Sequence, residues 1–255
     1  MVEEKQVSEL TKKRLMELSD RSYRGNICVF SDFLDLAAQT DLGEIQGRLS
    51  PCGLRLWGGY EGAERVMADF GTKEVLGYEE PFPIAFLLVR PVAEKFAEDL
   101  SHRDFLGALM NLGLERDRIG DLVLSGDRCV IICTEAIADF ICTELSRVRH
   151  TPVVCRRIDS FPAEFVPKRE EVRAVVSSVR LDSVVAKAAN LSRGKAAELF
   201  TSGKIQVNGR ETGNVSYTPK EGDTISMRSY GKIRFLGTGG ETKKGRIVIT
   251  YEKFV

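Results

Sequence analysis

Between Pro81 and Ile158 the chain repeatedly changes its hydrophobic rhythm, and no other stretch constrains the fold as tightly. "FPIAFLLVRPV" is a continuous apolar run bounded by prolines, as a buried strand requires. "SHRDFLGALMNLG" has helical spacing, with Gly113 where a left-handed residue would end the helix. "RIGDLVLSGDRCVIICT" holds two β-rich runs divided by Ser125-Gly126-Asp127, a hairpin signal. "EAIADFICTELSRV" sets Ile137, Phe140, Ile141 and Leu145 on one helical face, and "TPVVCRRI" closes with a strand. The order β-α-β-β-α-β is the split βαβ, or ferredoxin-like, arrangement. RNA-recognition motifs share it and stack bases on aromatics of their two central strands. Here those strands, "IAFLLV" and "RCVIIC", offer one Phe and otherwise aliphatics, so the reading is a scaffold or protein-contact domain.

The flanks differ. Residues 1–76 read as mostly helical: "VSELTKKRLMELSDRS" spaces Val7, Leu10, Leu15 and Leu18 with charges between them. "LRLWGGYEGAERVMADFG" reads as a short strand, a break at Gly58-Gly59 and a helix from Glu61 to Phe70, with Trp57 as a packing anchor. "FPAEFVPKREE" reads as a linker. The expected architecture is α+β: a mostly helical domain at 1–76, an RRM-like βαββαβ domain at 77–160, a linker at 161–171, and an αα-β domain with a closing β-hairpin at 172–255.

A net charge of zero conceals a split. Residues 168–255 hold 17 Lys and Arg against 9 Asp and Glu, a surplus of 8; residues 1–167 hold the other 20 and 28, a deficit of 8. A basic module beside an acidic body points to a polyanion partner for the former and a protein partner for the latter. Within the basic module, "VRLDSVVAKAANLSRGKAAELFTSGKIQVNGRE" gives two short helices and a hairpin. Leu181, Val184, Val185 and Ala188 form the inner stripe of the first helix; Ser192 caps the second, whose Ala196, Leu199 and Phe200 face inward. Gly203 ends that helix, and Asn208-Gly209 turns the hairpin. Glu221-Gly222-Asp223 makes a second turn before the inward pair Ile225 and Met227. Arg180, Lys187, Arg193, Lys195, Lys204 and Arg210 are left with few acids between them, a surface suited to tracking phosphates.

The same residues resemble the S-four RNA-binding domain: Arg180-Leu181-Asp182, Ser192-Arg193-Gly194-Lys195, Gly203-Lys204-Ile205-Gln206-Val207-Asn208-Gly209 and Gly222-Asp223-Thr224-Ile225. With "GGYEGAER", "LSHRDFLGALMNLGLERDRIGDL" and "GETKKGRIVITYEKF", most of the chain is similar to the bacterial YlmH family, least so before Leu54. The resemblance implies a ribosome-associated protein without chemistry of its own. It would bind structured RNA (rRNA, with tRNA a further candidate) on the large ribosomal subunit, in rescue of stalled nascent chains. The site residues so implied are Arg180, Lys187, Ser192, Arg193, Lys195, Lys204, Asn208 and Arg210. Lys243, Lys244 and Arg246 extend the basic surface. A cell-division scaffold and an RNA-modifying enzyme of pseudouridine synthase or methyltransferase type are the alternatives.

Enzyme signatures fail on spacing. His102-Arg103-Asp104 and Asp69-Phe70-Gly71 are the kinase triplets in reversed order, and Leu109 stands where the loop Asn should be. Ser101 and Asp104 instead form the S-x-x-D version of a capping box. "GETKKGRI" has Arg246 and Ile247 where a P-loop needs Lys and Ser or Thr, and reads as a turn between two strands. The six cysteines form no C-x-x-C pair, and Cys129 and Cys133 lie in an apolar run, so neither metal nor cofactor is expected. The N-terminus has no basic segment followed by an apolar one, and no apolar run approaches a membrane span, so a cytoplasmic protein is expected.

Overall fold

The computed structural model describes residues 2–242 and 245–254. The chain divides into two compact units between Val166 and Pro167. The first begins with α1 (Val2–Gly25), β1 (Val29–Phe30), α2 (Leu36–Ile45), β2 (Leu54–Trp57), β3 (Met67–Phe70) and the single turn α3 (Lys73–Leu76). Leu15 of α1 packs with Leu42 and Ile45 of α2 and with Phe70, while Val7 and Leu10 remain exposed. The helix expected over 61–70 is absent. Its last four residues are β3, the middle strand of an antiparallel sheet in the order β1-β3-β2. All four β3 residues are buried, so the strand shows no polar-apolar alternation, and positive φ at Gly59 and Gly62 breaks the chain before it. Asp69 faces Arg55 across the sheet and accepts from its Nε at 2.9 Å, which makes the Asp69-Phe70-Gly71 triplet a strand end closed by an ion pair. The 1–76 stretch therefore mixes helices with a small sheet.

The unit continues with β4 (Ile84–Pro91), α4 (His102–Asn111), β5 (Ile119–Ser125), β6 (Arg128–Thr134), α5 (Ala138–Glu144), β7 (Arg147–Val148) and β8 (Thr151–Ile158). Strand order β5-β6-β4-β8-β7, antiparallel throughout, is the ferredoxin-like sheet with a small added hairpin. Ala85, Leu87 and Val89 point toward α4 and α5 and meet Phe105, Leu109 and Ile141. The capping box at α4 is present: the Asp104 carboxylate accepts from the Ser101 N–H at 2.9 Å and from its hydroxyl at 2.6 Å. Gly113 ends the helix with φ 79°. Phe140 departs from expectation, being 45% exposed. Ala138, Ile141 and Leu145 form the buried stripe with Ile137 packed beside it, and Phe140 lies off it.

The opposite face of this sheet is covered too. Val123, Val130 and Ile132, with Phe86 and Leu88 beside them, pack against Phe33, Tyr60, Met67, Phe161 and Phe165. Tyr60 stacks on Phe161 with centroids 4.4 Å apart. The backbone approaches so closely that a Cβ on Gly59 would lie 2.7 Å from the Phe86 ring. Asp121 of β5 pins this layer, accepting from Tyr60 Oη at 2.8 Å and from the N–H groups of Glu64 at 2.7 Å and Arg65 at 3.0 Å. Arg65 and Arg116 both donate to the Ile119 carbonyl, at 2.9 and 2.5 Å. Burial, and then the neighbouring Arg65, push the Arg116 guanidinium down to about 10.

The second unit contains β9 (Arg169–Val176), α6 (Leu181–Ala188), α7 (Arg193–Thr201), β10 (Ile205–Val207), β11 (Arg210–Glu211), β12 (Thr224–Met227), β13 (Gly231–Glu241) and β14 (Ile247–Phe254). They form one antiparallel sheet in the order β11-β10-β12-β13-β14-β9. β9 starts at Arg169, inside the stretch read as a linker, and pairs with β14 along its whole length. Leu181, Val184, Val185, Ala196, Leu199 and Phe200 cover one sheet face, meeting Ile205, Ile225, Met227, Ile233 and Phe235.

Candidate RNA-binding surface

The two helices of the second unit bury their apolar stripes and so turn their cations outward. Arg180 is the N-cap of α6 and Lys187 lies in its last turn, both exposed. Ser192 caps α7, its Oγ accepting from the Lys195 N–H at 3.4 Å, and Arg193, Gly194 and Lys195 form an exposed first turn. No acidic residue occupies that turn. Cations at a helix N-terminus oppose the macrodipole, whereas an incoming phosphate would meet both the free N–H groups and the two side chains. Between α6, α7 and the end of β9 lies a groove of 270 Å³, bordered by Ser177, Ser183, Lys187, Asn190 and Arg193. Arg193 Nη2 donates to Ser177 Oγ at 2.6 Å, which fixes the guanidinium at the groove. Arg180 is paired with Asp182, Nε to Oδ1 at 3.1 Å, so only part of its charge faces outward.

The remaining residues of the set are distributed differently. Asn208 and Gly209 have φ of 50° and 76° and form the two-residue turn between β10 and β11. The Asn208 side chain is engaged inside the fold: Nδ2 donates to Asp223 Oδ1 at 2.8 Å and Oδ1 accepts from the Thr224 N–H at 2.9 Å. Asp223 also accepts from Tyr217 Oη at 2.7 Å and from the Lys220 N–H at 2.8 Å, tying two turns together. Burial, and then this bond, push the Tyr217 phenol up to about 12. Arg210 is half-buried on β11, opposite Val207. Arg246 is exposed where the chain turns between β13 and β14; Lys243 and Lys244 lie outside the described residues. Lys204 stands apart from the α6–α7 groove and lines a second groove with Arg228 and Lys232, neither of which the motif pattern singled out. The alternation of "KIRFL" carried the missing signal, since Lys232 and Arg234 must share the face opposite Ile233 and Phe235.

Among the described residues no helix is long and apolar enough to cross a membrane. A family model described as a putative RNA-binding domain in YlmH matches residues 78–161, and one for the S4 domain matches residues 179–225. A ribosome-associated protein quality control protein P2 from Bacillus subtilis (strain 168) is 34% identical over 227 residues, 88% of this chain and 86% of that protein. A solved structure of a cell division protein, ylmH from Streptococcus pneumoniae, aligns with 59% of this chain and 90% of its own at 17% identity and a TM-score of 0.46. Two matched modules in this order, and a relative aligned across nearly the whole length, leave one assignment: the chain belongs to the YlmH family of S4-domain RNA-binding proteins.

Proposed function

We propose that the protein is a non-catalytic cytoplasmic factor that docks on structured RNA of the large ribosomal subunit, in rescue or quality control of stalled translation. The acid-free, basic first turn of α7 beside Lys187 carries this reading, because it costs helix stability and gains only when an anion arrives. The relative's name, a ribosome-associated quality control protein, supports the setting. Arg180, Lys187, Ser192, Arg193, Lys195, Arg210, Lys243, Lys244 and Arg246 are the proposed contacts, with Lys204 contributing from the second groove and Asn208 holding the hairpin that presents its neighbours. Transfer RNA is a second proposed ligand of the same surface. The acidic N-terminal part of the chain is proposed to contact a protein.

Co-sedimentation with purified subunits tests the reading. The protein should travel with large subunits, and if about four of these cations sit on phosphates its affinity should fall by about a hundredfold between about 50 and 200 mM salt. Arg193→Glu with Lys195→Glu should abolish association while the fold is kept. Normal co-sedimentation of that variant would sink the assignment. A cofactor-dependent chemical change in the RNA would favour a modifying enzyme instead.

A further inference from the structure

We propose that the outer face of the second unit's sheet is a separate binding groove for single-stranded RNA, used alongside the α6–α7 surface. The proposal rests on the reading above only in taking RNA as the ligand. Strand register builds the face. Gln206 pairs with Ser226 and Ser226 with Lys232, and each alternates with a residue buried under the helices, so all three project from the opposite side. The row continues to Phe254, which pairs with Arg169 on the last strand. Lys232 Nζ and the Arg169 guanidinium carbon lie 5.8 and 5.2 Å from the Phe254 ring centroid. The ring packs against a cation from each flanking strand, Lys232 and Arg169, and Arg169 is also ion-paired with Glu252 at 3.4 Å.

A groove of 670 Å³ runs beside this row, lined by Lys204, Arg228 and Lys232 with Gln206, Ser226 and one carboxylate, Glu211. The Arg228 N–H donates to the Lys204 carbonyl at 2.9 Å, which sets those two residues side by side. Lys204 and Arg228 outnumber the single acid Glu211 even without counting Lys232, which favours a polyanion, and the Gln206 amide and Ser226 hydroxyl can bond to ribose and base edges. Lys232 is half-buried in the groove, and burial pushes its ammonium down from its usual range. A groove that follows a row of side chains across strands suits an extended strand better than a duplex, whose phosphates spread over two ridges.

Fluorescence anisotropy with a labelled oligouridylate of about 12 nucleotides, on the full chain at about 50 mM salt, tests the groove. Arg228→Gln with Lys232→Gln should weaken binding by about tenfold and lower the slope of log affinity against log salt by about 1.4. Phe254→Leu, which keeps apolar volume and removes the ring, should weaken it less. Arg193→Glu with Lys195→Glu should leave oligouridylate binding within about twofold while abolishing association with ribosomal subunits. Unchanged binding in the Arg228/Lys232 variant overturns the proposal, as does a wild-type chain that does not bind. Loss in the Arg193/Lys195 variant overturns it too, because a single surface would then serve both ligands. Equal displacement by an oligoglutamate peptide overturns it in favour of an acidic protein ligand. Retention of subunit binding by the Arg193/Lys195 variant would instead strike at the α6–α7 reading alone.

Discussion

Replacing Lys195 by glutamate should make the protein more stable and a weaker RNA binder. Lys195 is the third residue of α7, and its N–H already donates to the cap Ser192. A glutamate there completes the Ser-x-x-Glu capping box, with its carboxylate able to reach back to the Ser192 N–H. The change also removes a cation from a helix N-terminus and adds an anion, each worth about 0.3–1 kcal/mol at an exposed first turn. A net gain of about 1 kcal/mol follows, equivalent to about 4–8 °C in the unfolding midpoint of a domain of this size. Binding moves the other way: losing one phosphate contact should lower the salt slope by about 1, and the new negative charge adds repulsion. Calorimetry and subunit co-sedimentation on the same preparation measure both quantities. Lys195→Gln also completes the box but adds no negative charge, and should stabilise while costing less binding. A lower melting temperature for Lys195→Glu would refute the cap geometry. Unaltered binding would refute the role of this turn in holding phosphate.

Asn208→Ala removes the internal hydrogen bonds to Asp223 and Thr224 and places an ordinary side chain at φ 50°, so urea unfolding should show a loss of about 2–3 kcal/mol. Asn208→Gly keeps the backbone conformation and should lose about 1 kcal/mol less. In the first unit, hydrogen bonds from the Ser101 hydroxyl and then its N–H hold the Asp104 carboxyl below its usual value of 3.8. A lowered folded pKa means that this stability is present above 3.8 and is lost as pH falls through the folded value; Asp104→Asn should flatten that part of an acid-unfolding curve. On α5, Phe140→Ser should change stability by less than about 0.5 kcal/mol, whereas Ile141→Ala should cost about 2–5. Equal losses at the two positions would contradict the observed register of that helix.

What could be read in advance was whatever is settled within a few neighbouring residues. The Ser101–Asp104 box, the Ser192 cap, the Gly113 stop and the Asn208-Gly209 turn are each local geometry, and the structure has all four. The β-α-β-β-α-β order was legible because each element announces its own period. β3 reads as helix because a central strand covered on both sides has no alternation to betray it. Phe140 reads as inward because it adjoins Ile141, yet the core takes Ile137, Ala138, Ile141 and Leu145 and leaves Phe140 at its margin. Within the candidate site, the basic first turn of α7 was visible, but the internal use of Asn208 was not, since Asp223 lies 15 residues away. The grouping of Lys204, Arg228 and Lys232 depends on the register between strands, which no local pattern carries.

The covering of the ferredoxin-like sheet by Tyr60, Phe161 and Phe165 bears on how the chain can be cut. A fragment of residues 77–160 would contain all the strands of that fold, yet leave Phe86, Val123, Val130 and Ile132 facing water and Asp121 stripped of its three donors. Such a piece would aggregate for reasons unconnected with nucleic acid, and any RNA it captured would report a face that the intact protein keeps closed. Dissection of this family is better begun at the division between Val166 and Pro167, where the chain separates into its two compact units.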